Sequence, residues 1–351
     1  MKTRPEITAV IVLATLLAAC SAKPPAEALL DDYLTRLSRV LDVPRPESST
    51  LSARETPLPR LPAQRELAVE IQPLSINLLD LWGFRQCELA EVLGERNSVL
   101  GRVLVPSQHL HMDGRILLAL RACQHIVEDE ELLALTVELE RGKQQQWPQR
   151  YWNATVAAPE LRQFWSPSSS PLVPGEEASY QRAEAAMDFL AALPQQLAEG
   201  RWPERAELEA HYQALDLYSL GGRLLHSLRL GQSAIAEANY LLQEAIEQRR
   251  LCPAGLQKVE LKYARNVMAK VFAGEVQPWL AAINRRASTL LPRYQRLIDQ
   301  QPTDLQARIT PFNHQVSRLH QDFQQTLRDH VAHWQTLFDT CGSQAIPDQG
   351  R

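Results

Sequence analysis

The stretch that decides the fold runs from Thr310 to Phe338 and reads TPFNHQVSRLHQDFQQTLRDHVAHWQTLF. Large apolar side chains recur along it at intervals of three and four residues, a spacing that places them on one face of an α-helix. They are Phe312, Val316, Leu319, Phe323, Leu327, Val331, Trp334 and Phe338. Thr310 followed by Pro311 is a helix start signal, with proline at the first helical position. The stretch therefore predicts a long amphipathic helix with one buried face.

Helical spacing of apolar residues continues over most of the chain. The predicted helices cover 26–43, 75–95, 107–135, 147–164, 176–193, 203–230, 233–250 and 256–272, and Pro278, Pro292 and Pro302 interrupt the pattern after them. Neither a sustained alternation of apolar and polar residues nor a strand–helix–strand order is present. We therefore predict an all-α fold of long antiparallel helices in a bundle-like arrangement, without significant β-sheet.

The N-terminus carries an export signal. Lys2 and Arg4 form a short basic region, and residues 7–19 are apolar apart from two threonines. This apolar run is shorter than the about 20 residues that a membrane-spanning helix needs. The pattern is typical of a signal peptide that is removed from the mature protein.

The end of that signal resembles the lipobox of bacterial lipoproteins. Residues 17–20 read LAAC, and the resemblance implies that Cys20 is acylated, as with palmitate, and becomes the first residue of the mature chain. By the sorting rule of that class, Ser21 favours the outer membrane. We therefore expect a lipid anchor at Cys20 and a location on the periplasmic face of the outer membrane. The alternative is an ordinary secretory signal that ends in a cysteine by chance.

Composition and proline-rich segments indicate how the rest is organised. The mature chain would carry a formal net charge of −5, because the signal removes two basic side chains and one acidic one from a total of −4. This balance does not support nucleic-acid binding. Residues 44–62 form an extended linker or a strap along the surface. We predict a signal peptide over 1–19, a lipidated N-terminus with one helix and this linker over 20–64, and a helical domain over 65–351 with a candidate boundary between two halves at 166–175.

Four cysteines remain after cleavage: Cys87, Cys123, Cys252 and Cys341. An even number in an exported chain suggests two disulfides, for which three pairings exist. Cys87 and Cys123 lie 18 residues to either side of Val105, so an antiparallel helix hairpin would bring them to the same height. We therefore predict a Cys87–Cys123 bridge and a Cys252–Cys341 bridge. The alternative is buried free thiols.

Two histidine pairs are candidate metal ligands. His109-Leu110-His111-Met112-Asp113 resembles the start of the HxHxDH signature of metallo-β-lactamase-like hydrolases, but Gly114 stands where the last histidine belongs. On a helix, side chains two residues apart point about 200° apart, so this pair would not share a metal. We interpret these two as partly exposed helix histidines.

His330 and His333 lie one helical turn apart, and such a pair can bind a metal. However, His330 falls on the apolar face of the predicted last helix. We interpret it as a hydrogen-bonded histidine of the core or of an interface. The sequence thus predicts neither a metal site nor a cofactor.

Aromatic side chains cluster in one segment. Trp147, Tyr151, Trp152 and Trp165 form a candidate interaction surface for a sugar or a protein, and core packing between helices is the other interpretation. Familiar catalytic motifs such as GxSxG, SxxK, HExxH and the P-loop are absent from the sequence. We therefore name no catalytic residue and favour a non-enzymatic function.

Several short motifs lie between the two predicted helices and around them: Cys87-Glu88-Leu89, the stretch 95–101 (ERNSVLG), Val105-Pro106-Ser107 and Cys123. Together they resemble a family of gammaproteobacterial lipoproteins known as domain of unknown function 3080. It implies a lipoprotein and supplies no catalytic residues. We interpret Arg96, Asn97, Ser98 and Gly101 as a structural motif that orders the break between two helices.

These observations favour a helical module of the cell envelope that binds an envelope protein or a cell-wall partner. The alternative is a periplasmic hydrolase or lipid-modifying enzyme without a familiar motif. A cleft with convergent carboxylates and histidines would favour the enzyme, and a broad apolar or aromatic patch would favour the binding module.

Overall fold

The computed structural model describes residues 25–46, 57–72, 74, 82–99, 101, 103–168, 170–173, 177–217, 219–253 and 257–342. The signal peptide, the lipobox with Cys20 and the first residues of the predicted 75–95 helix lie outside the described residues. None of the helices in the described part is both long enough and apolar enough to cross a bilayer.

The described residues fold into helices and contain no strand, so the all-α prediction is confirmed. In chain order the α-helices are α1 (Pro25–Leu41), α2 (Gln64–Leu67), α3 (Leu89–Asn97), α4 (Pro106–Cys123), α5 (Glu130–Ala154), α6 (Pro159–Phe164), α7 (Glu177–Ala198), α8 (Arg205–Asp216), α9 (Leu220–Glu247), α10 (Glu260–Asn266), α11 (Gln277–Asp299), α12 (Thr303–Gln306) and α13 (Thr310–Thr340). A 3-10 turn (Phe84–Gln86) precedes α3, and a π-helical segment (Val267–Val276) joins α10 to α11.

The predicted last helix is α13, which begins at Thr310 with Pro311 in its first turn. Most of its predicted apolar face is buried, but Leu327 is only half-buried and Val331 is exposed, while His330 and Leu337 are buried. An α-helix turns once in 3.6 residues, so repeated steps of four carry positions 327 and 331 away from the buried face.

Helices α9 and α13 pack against each other and run parallel. The Phe323 ring of α13 lies 2.8 Å from the place that a Cβ would take at Gly231 of α9. Just beyond the ends of both helices, Cys252 is bonded to Cys341. Because the positions in contact rise together along both helices, these two are not antiparallel to each other.

The parallel direction follows from α11, which lies between α9 and α13 in the sequence. The Asn284 side chain of α11 is 3.0 Å from His320 of α13, and the Tyr294 ring faces Phe312 at 6.4 Å. Positions rise along α11 as they fall along α13, so these two helices are antiparallel. The antiparallel prediction therefore holds for the packed pair α11 and α13, whereas α9 and α13 run in the same direction.

A buried hydrogen-bond network around His330 of α13 joins this helix to α1 and α9. Tyr33 of α1 donates to His330 Nε2 at 2.8 Å, and His330 Nδ1 is 2.7 Å from Asn239 Oδ1 on α9. Trp334 Nε1 donates to the same Nε2 at 3.1 Å, so the proton of the neutral ring belongs on Nδ1. The interpretation of His330 as a hydrogen-bonded core histidine is confirmed.

Several predicted helices have different limits in the structure. The predicted helix over 107–135 is divided into α4 and α5, because the Asp129 carboxylate caps α5 by accepting from Leu132 N at 2.9 Å and from Glu131 N. The predicted short helix over 147–164 contains the end of α5 and all of α6. The sequence carries a start signal for each of these helices, Asp129 before α5 and Pro159 at the start of α6. The prediction followed the apolar spacing instead.

The break predicted between residues 230 and 233 instead precedes α9. This helix continues through Gly231, and the chain turns at Ser219, which has a left-handed φ of 45°. Gly221 and Gly222 lie in its first turn, and a Cβ on Gly221 would be 2.6 Å from the Trp165 ring. A Cβ on Gly222 would overlap the backbone of Ser166. The glycines therefore permit close packing at the start of α9.

Proline does not end α11 as the sequence pattern predicted. Pro278 occupies its first turn and Pro292 lies inside it, with Leu290 and Tyr294 buried on either side. Proline in a helix interior costs about 3 kcal/mol. Burial of the amphipathic face outweighs that cost, since tertiary packing supplies most of the stability of helices in proteins.

One large apolar core contains residues from α1 and from helices on both sides of the 166–175 loop. Leu172 of that loop is itself buried, and its backbone N–H donates to Ser227 of α9 at 2.8 Å. The loop therefore does not divide the core. A second, smaller apolar cluster joins α3, α4 and the first half of α5. Helices α3 and α4 of this cluster line the candidate site described below.

Candidate functional site

A groove of about 750 Å³ lies between α3, α4 and residues 200–205, which lead into α8. Six positions of α4 line its floor, from His111 to Ala122. Their spacing of three and four residues places them on one face of the helix. The groove is therefore built where α4 is covered from one side by α3 and from the other by the connection between α7 and α8.

A disulfide fastens the α3 wall to the floor. Cys87, directly before α3, is bonded to Cys123 at the end of α4, with a Cα–Cα distance of 5.4 Å. Cys252 and Cys341 form the other bridge, at 5.5 Å, so both predicted pairs are present. Cys87 has extended backbone geometry after the 3-10 turn, which corrects the prediction of one continuous helix over 75–95. This local break lets Glu88 and the rest of α3 lie beside α4.

Trp202 holds the opposite wall in place. Its indole Nε1 donates to the backbone oxygen of His111 at 3.0 Å, and its ring meets Trp147 edge-on at 5.5 Å. A Cβ on Gly114 would lie 2.6 Å from Trp202 Cδ2. The glycine that departs from the metal-binding signature is thus the residue that admits the indole. Arg121 adds a second tie by donating to Leu197 O at 2.9 Å.

Charged side chains of both signs line the groove. Arg115 pairs with Glu95 at 2.6 Å, and Arg121 pairs with Glu140 at 2.9 Å. Glu88, Glu204 and Arg205 also line the groove, are exposed, and form no ion pair or hydrogen bond through their side chains with the described residues. The groove therefore presents two carboxylates and one guanidinium that are available to a ligand.

His111 is the one buried ionisable side chain on the groove floor. It is 7% exposed, and its Nδ1 is buried without a hydrogen-bond partner among the described residues. Burial lowers the pKa of His111, and Arg115 and Arg205 lower it further against the weaker opposing effect of two glutamates. The ring is therefore neutral at pH 7. The prediction that His111 is partly exposed is wrong, because Trp202 and the residues around it cover this turn of α4.

Asp113 and His109 lie elsewhere on α4 and do not join His111 in a metal site. Both carboxylate oxygens of Asp113 are engaged, one by Lys143 at 2.6 Å and the other by Arg150 at 2.7 Å. Burial would raise the pKa of Asp113, but these two cations outweigh it and lower the pKa. Burial and the neighbouring Arg150 lower the pKa of His109 to about 4. Within the described ranges, no cluster of three metal-ligating side chains occurs.

The candidate aromatic surface is largely core. Tyr151, Trp152 and Trp165 are each at most 1% exposed. The polar atoms of two of them are bonded inside the protein, with Tyr151 donating to Leu190 O and Trp152 to Leu67 O, both at 2.7 Å. Because they are buried, these three cannot form an interaction surface. Trp147 is half-buried, and its ring packs edge-on against that of Trp202.

The motif at 96–101 closes the turn after α3. Ser98 Oγ donates to Glu95 O at 2.8 Å and accepts from Gly101 N at 3.0 Å, while Arg96 donates to Gly101 O at 3.2 Å. A Cβ on Gly101 would be 2.5 Å from Glu95 O, so only glycine fits there. The contacts of Arg96, Ser98 and Gly101 are internal to the turn, and Asn97 is exposed.

The groove residues were missed at the sequence level. Arg115, Trp202, Glu204 and Arg205 belong to no motif, and the acidic residues at 88 and 95 resemble an ordinary solvated helix face. The replacement of histidine by Gly114 was the one local signal that a bulky neighbour covers α4.

The fold and the groove define an all-α protein with a charged, disulfide-braced cleft. The chain belongs to the family described as protein of unknown function (DUF3080), whose profile matches residues 30–345. No curated protein and no solved structure matches the chain.

Proposed function

We propose that the protein is a lipid-anchored binding module of the cell envelope, held to the outer membrane through Cys20, and that the groove on α4 receives its ligand. The lipobox sequence supports the anchor. The groove supports binding, because it combines accessible volume with charged side chains that have no partner among the described residues.

The observation that carries the proposal is the pairing state of the groove residues. Unpaired exposed charges are common on any surface, but here Glu88, Glu204 and Arg205 converge on one cleft. Its floor holds the buried His111, whose Nδ1 has no partner among the described residues. Charged groups without partners in one cleft can each form a charge-assisted hydrogen bond to a ligand. The groove therefore has the properties of a site that is completed by binding.

The enzyme alternative draws on the same cleft, which holds a histidine and several carboxylates. However, Glu95 is neutralised by Arg115 at 2.6 Å, and the described residues that line the groove include no serine, threonine or cysteine to act as a nucleophile. A triad needs a nucleophile within hydrogen-bond reach of its base. This composition favours recognition over covalent catalysis.

Site-specific photocrosslinking in intact cells tests the proposal. A benzoylphenylalanine placed at Ala122, an exposed position in the groove, should give a defined adduct. The matched control is Ala332, an exposed alanine on α13 outside the groove. Equal adducts at both positions, or none at Ala122, would contradict a binding role for the groove.

The anchor is tested separately by fractionation. The Cys20→Ala variant should leave the membrane fraction or accumulate unprocessed, because acyl chains would provide the attachment. A variant that still fractionates with membranes like the wild type would show that Cys20 does not hold the protein there.

A further inference from the structure

We propose that the groove recognises a short peptide with a free amino group at one end and a free carboxylate at the other. This inference rests on the proposed function and names the ligand class of the same site. It is drawn from three properties of the groove: its length, the donor at its His111 end and the acceptor at its Ala122 end.

The length follows from the positions on α4. His111 and Ala122 are eleven residues apart on one helix, which corresponds to about 16 Å at 1.5 Å per residue. An extended peptide covers about 3.3–3.6 Å per residue. A chain of about four or five residues therefore spans the floor from end to end.

The His111 end suits a carboxylate. Nδ1 of His111 is buried and has no hydrogen-bond partner in the described part of the chain, and an unpaired buried N–H is rarer than an unpaired acceptor. The proton of the neutral ring therefore belongs on Nε2, where it can be donated to a ligand. Arg205 acts on His111 electrostatically, more strongly than the neighbouring Glu204 acts in the opposite sense, and it has no ion-pair partner among the described residues. A neutral donor and an available guanidinium together favour an anionic acceptor.

The Ala122 end suits an ammonium group. Glu88 follows Cys87, which is bonded to Cys123, so its carboxylate belongs to the end of the groove where α4 terminates. The C-terminus of a helix carries partial negative charge, which also favours a cation. Arg121 lies nearby, but Glu140 neutralises it at 2.9 Å. The two ends of the groove are therefore complementary to the two ends of a peptide.

Calorimetry with the detergent-solubilised, full-length lipoprotein tests this. Tetra-alanine should bind, and N-acetylation or C-amidation of the peptide should each weaken its affinity about tenfold or more, because each removes a charge-assisted contact. All-L tetra-alanine represents fragments of envelope proteins. The same peptide with a C-terminal D-alanine represents peptides of the cell wall. The peptide that binds with the higher affinity identifies the source of the natural ligand.

Two variants assign the ends. Arg205→Gln should abolish the penalty for C-amidation and keep the penalty for N-acetylation, whereas Glu88→Gln should do the reverse. Arg182→Gln and Glu91→Gln, which change exposed charges outside the groove, should keep both penalties. Thermal unfolding of each variant checks that the fold is retained, as expected for exposed side chains.

The outcomes separate the two proposals. Failure of tetra-alanine to bind, or equal binding of the free and capped peptides, would overturn the peptide inference. If the crosslink at Ala122 still forms, the binding function stands with another ligand class. If the crosslink is absent as well, both proposals are wrong.

Discussion

Gly114→Ala should destabilise the protein and disturb the groove, although alanine is the better helix former. The new Cβ would lie 2.6 Å from Trp202 Cδ2, closer than real Cβ contacts allow. The indole cannot withdraw freely, because its Nε1 is bonded to His111 O at 3.0 Å and its ring packs on Trp147. Overpacking of this kind costs about 1–3 kcal/mol, and loss of the hydrogen bond costs about 0.5–1.5 kcal/mol.

The gain from replacing glycine in a helix offsets about 0.5–1 kcal/mol of that loss. The expected net destabilisation is therefore about 0.5–4 kcal/mol. Gly94→Ala is the matched control, because Gly94 lies in α3 and a Cβ there has no neighbour within 4 Å. It should stabilise by up to about 1 kcal/mol. Urea unfolding followed by circular dichroism measures both, and a Gly114→Ala variant as stable as Gly94→Ala would show that Trp202 does not press on α4.

Two further predictions concern the disulfides and pH. Removing the Cys87–Cys123 bridge by double alanine substitution should lower the free energy of unfolding by about 4 kcal/mol. The reason is that the bridge links residues 36 positions apart and so restricts the unfolded chain. An unchanged melting temperature would contradict this prediction. Burial lowers the pKa of His330 from 6.5 to about 3. As the pH falls from 6.5 to 3, the unfolded state therefore binds a proton that the folded state does not. The free energy of unfolding should decrease by about 1.4 kcal/mol for each pH unit over this range. A His330→Gln variant should lose less stability than the wild type between pH 7 and pH 4, and equal losses in urea titrations would show that His330 does not contribute.

The sequence alone was sufficient where one segment carries its own information. The face of α13 follows from apolar spacing, and its start follows from Thr310-Pro311, because helix periodicity and capping are local properties. The Cys87–Cys123 pairing was predicted from equal distances to the turn, although the predicted helix before that turn proved to be broken. His330 was recognised as a core residue because it falls on an apolar face.

Tertiary structure decided which helix faces are covered and by what. Tyr151, Trp152 and Trp165 are compatible with either a surface or a core in sequence, and only the packing of distant helices buries them. Likewise, His111 is buried because Trp202, about ninety residues further along the chain, rests on Gly114. The groove exists between segments that have no local relationship, so no periodicity within either segment could reveal it. Its chemistry depends on which charges remain unpaired after folding, and that is a property of the assembled structure.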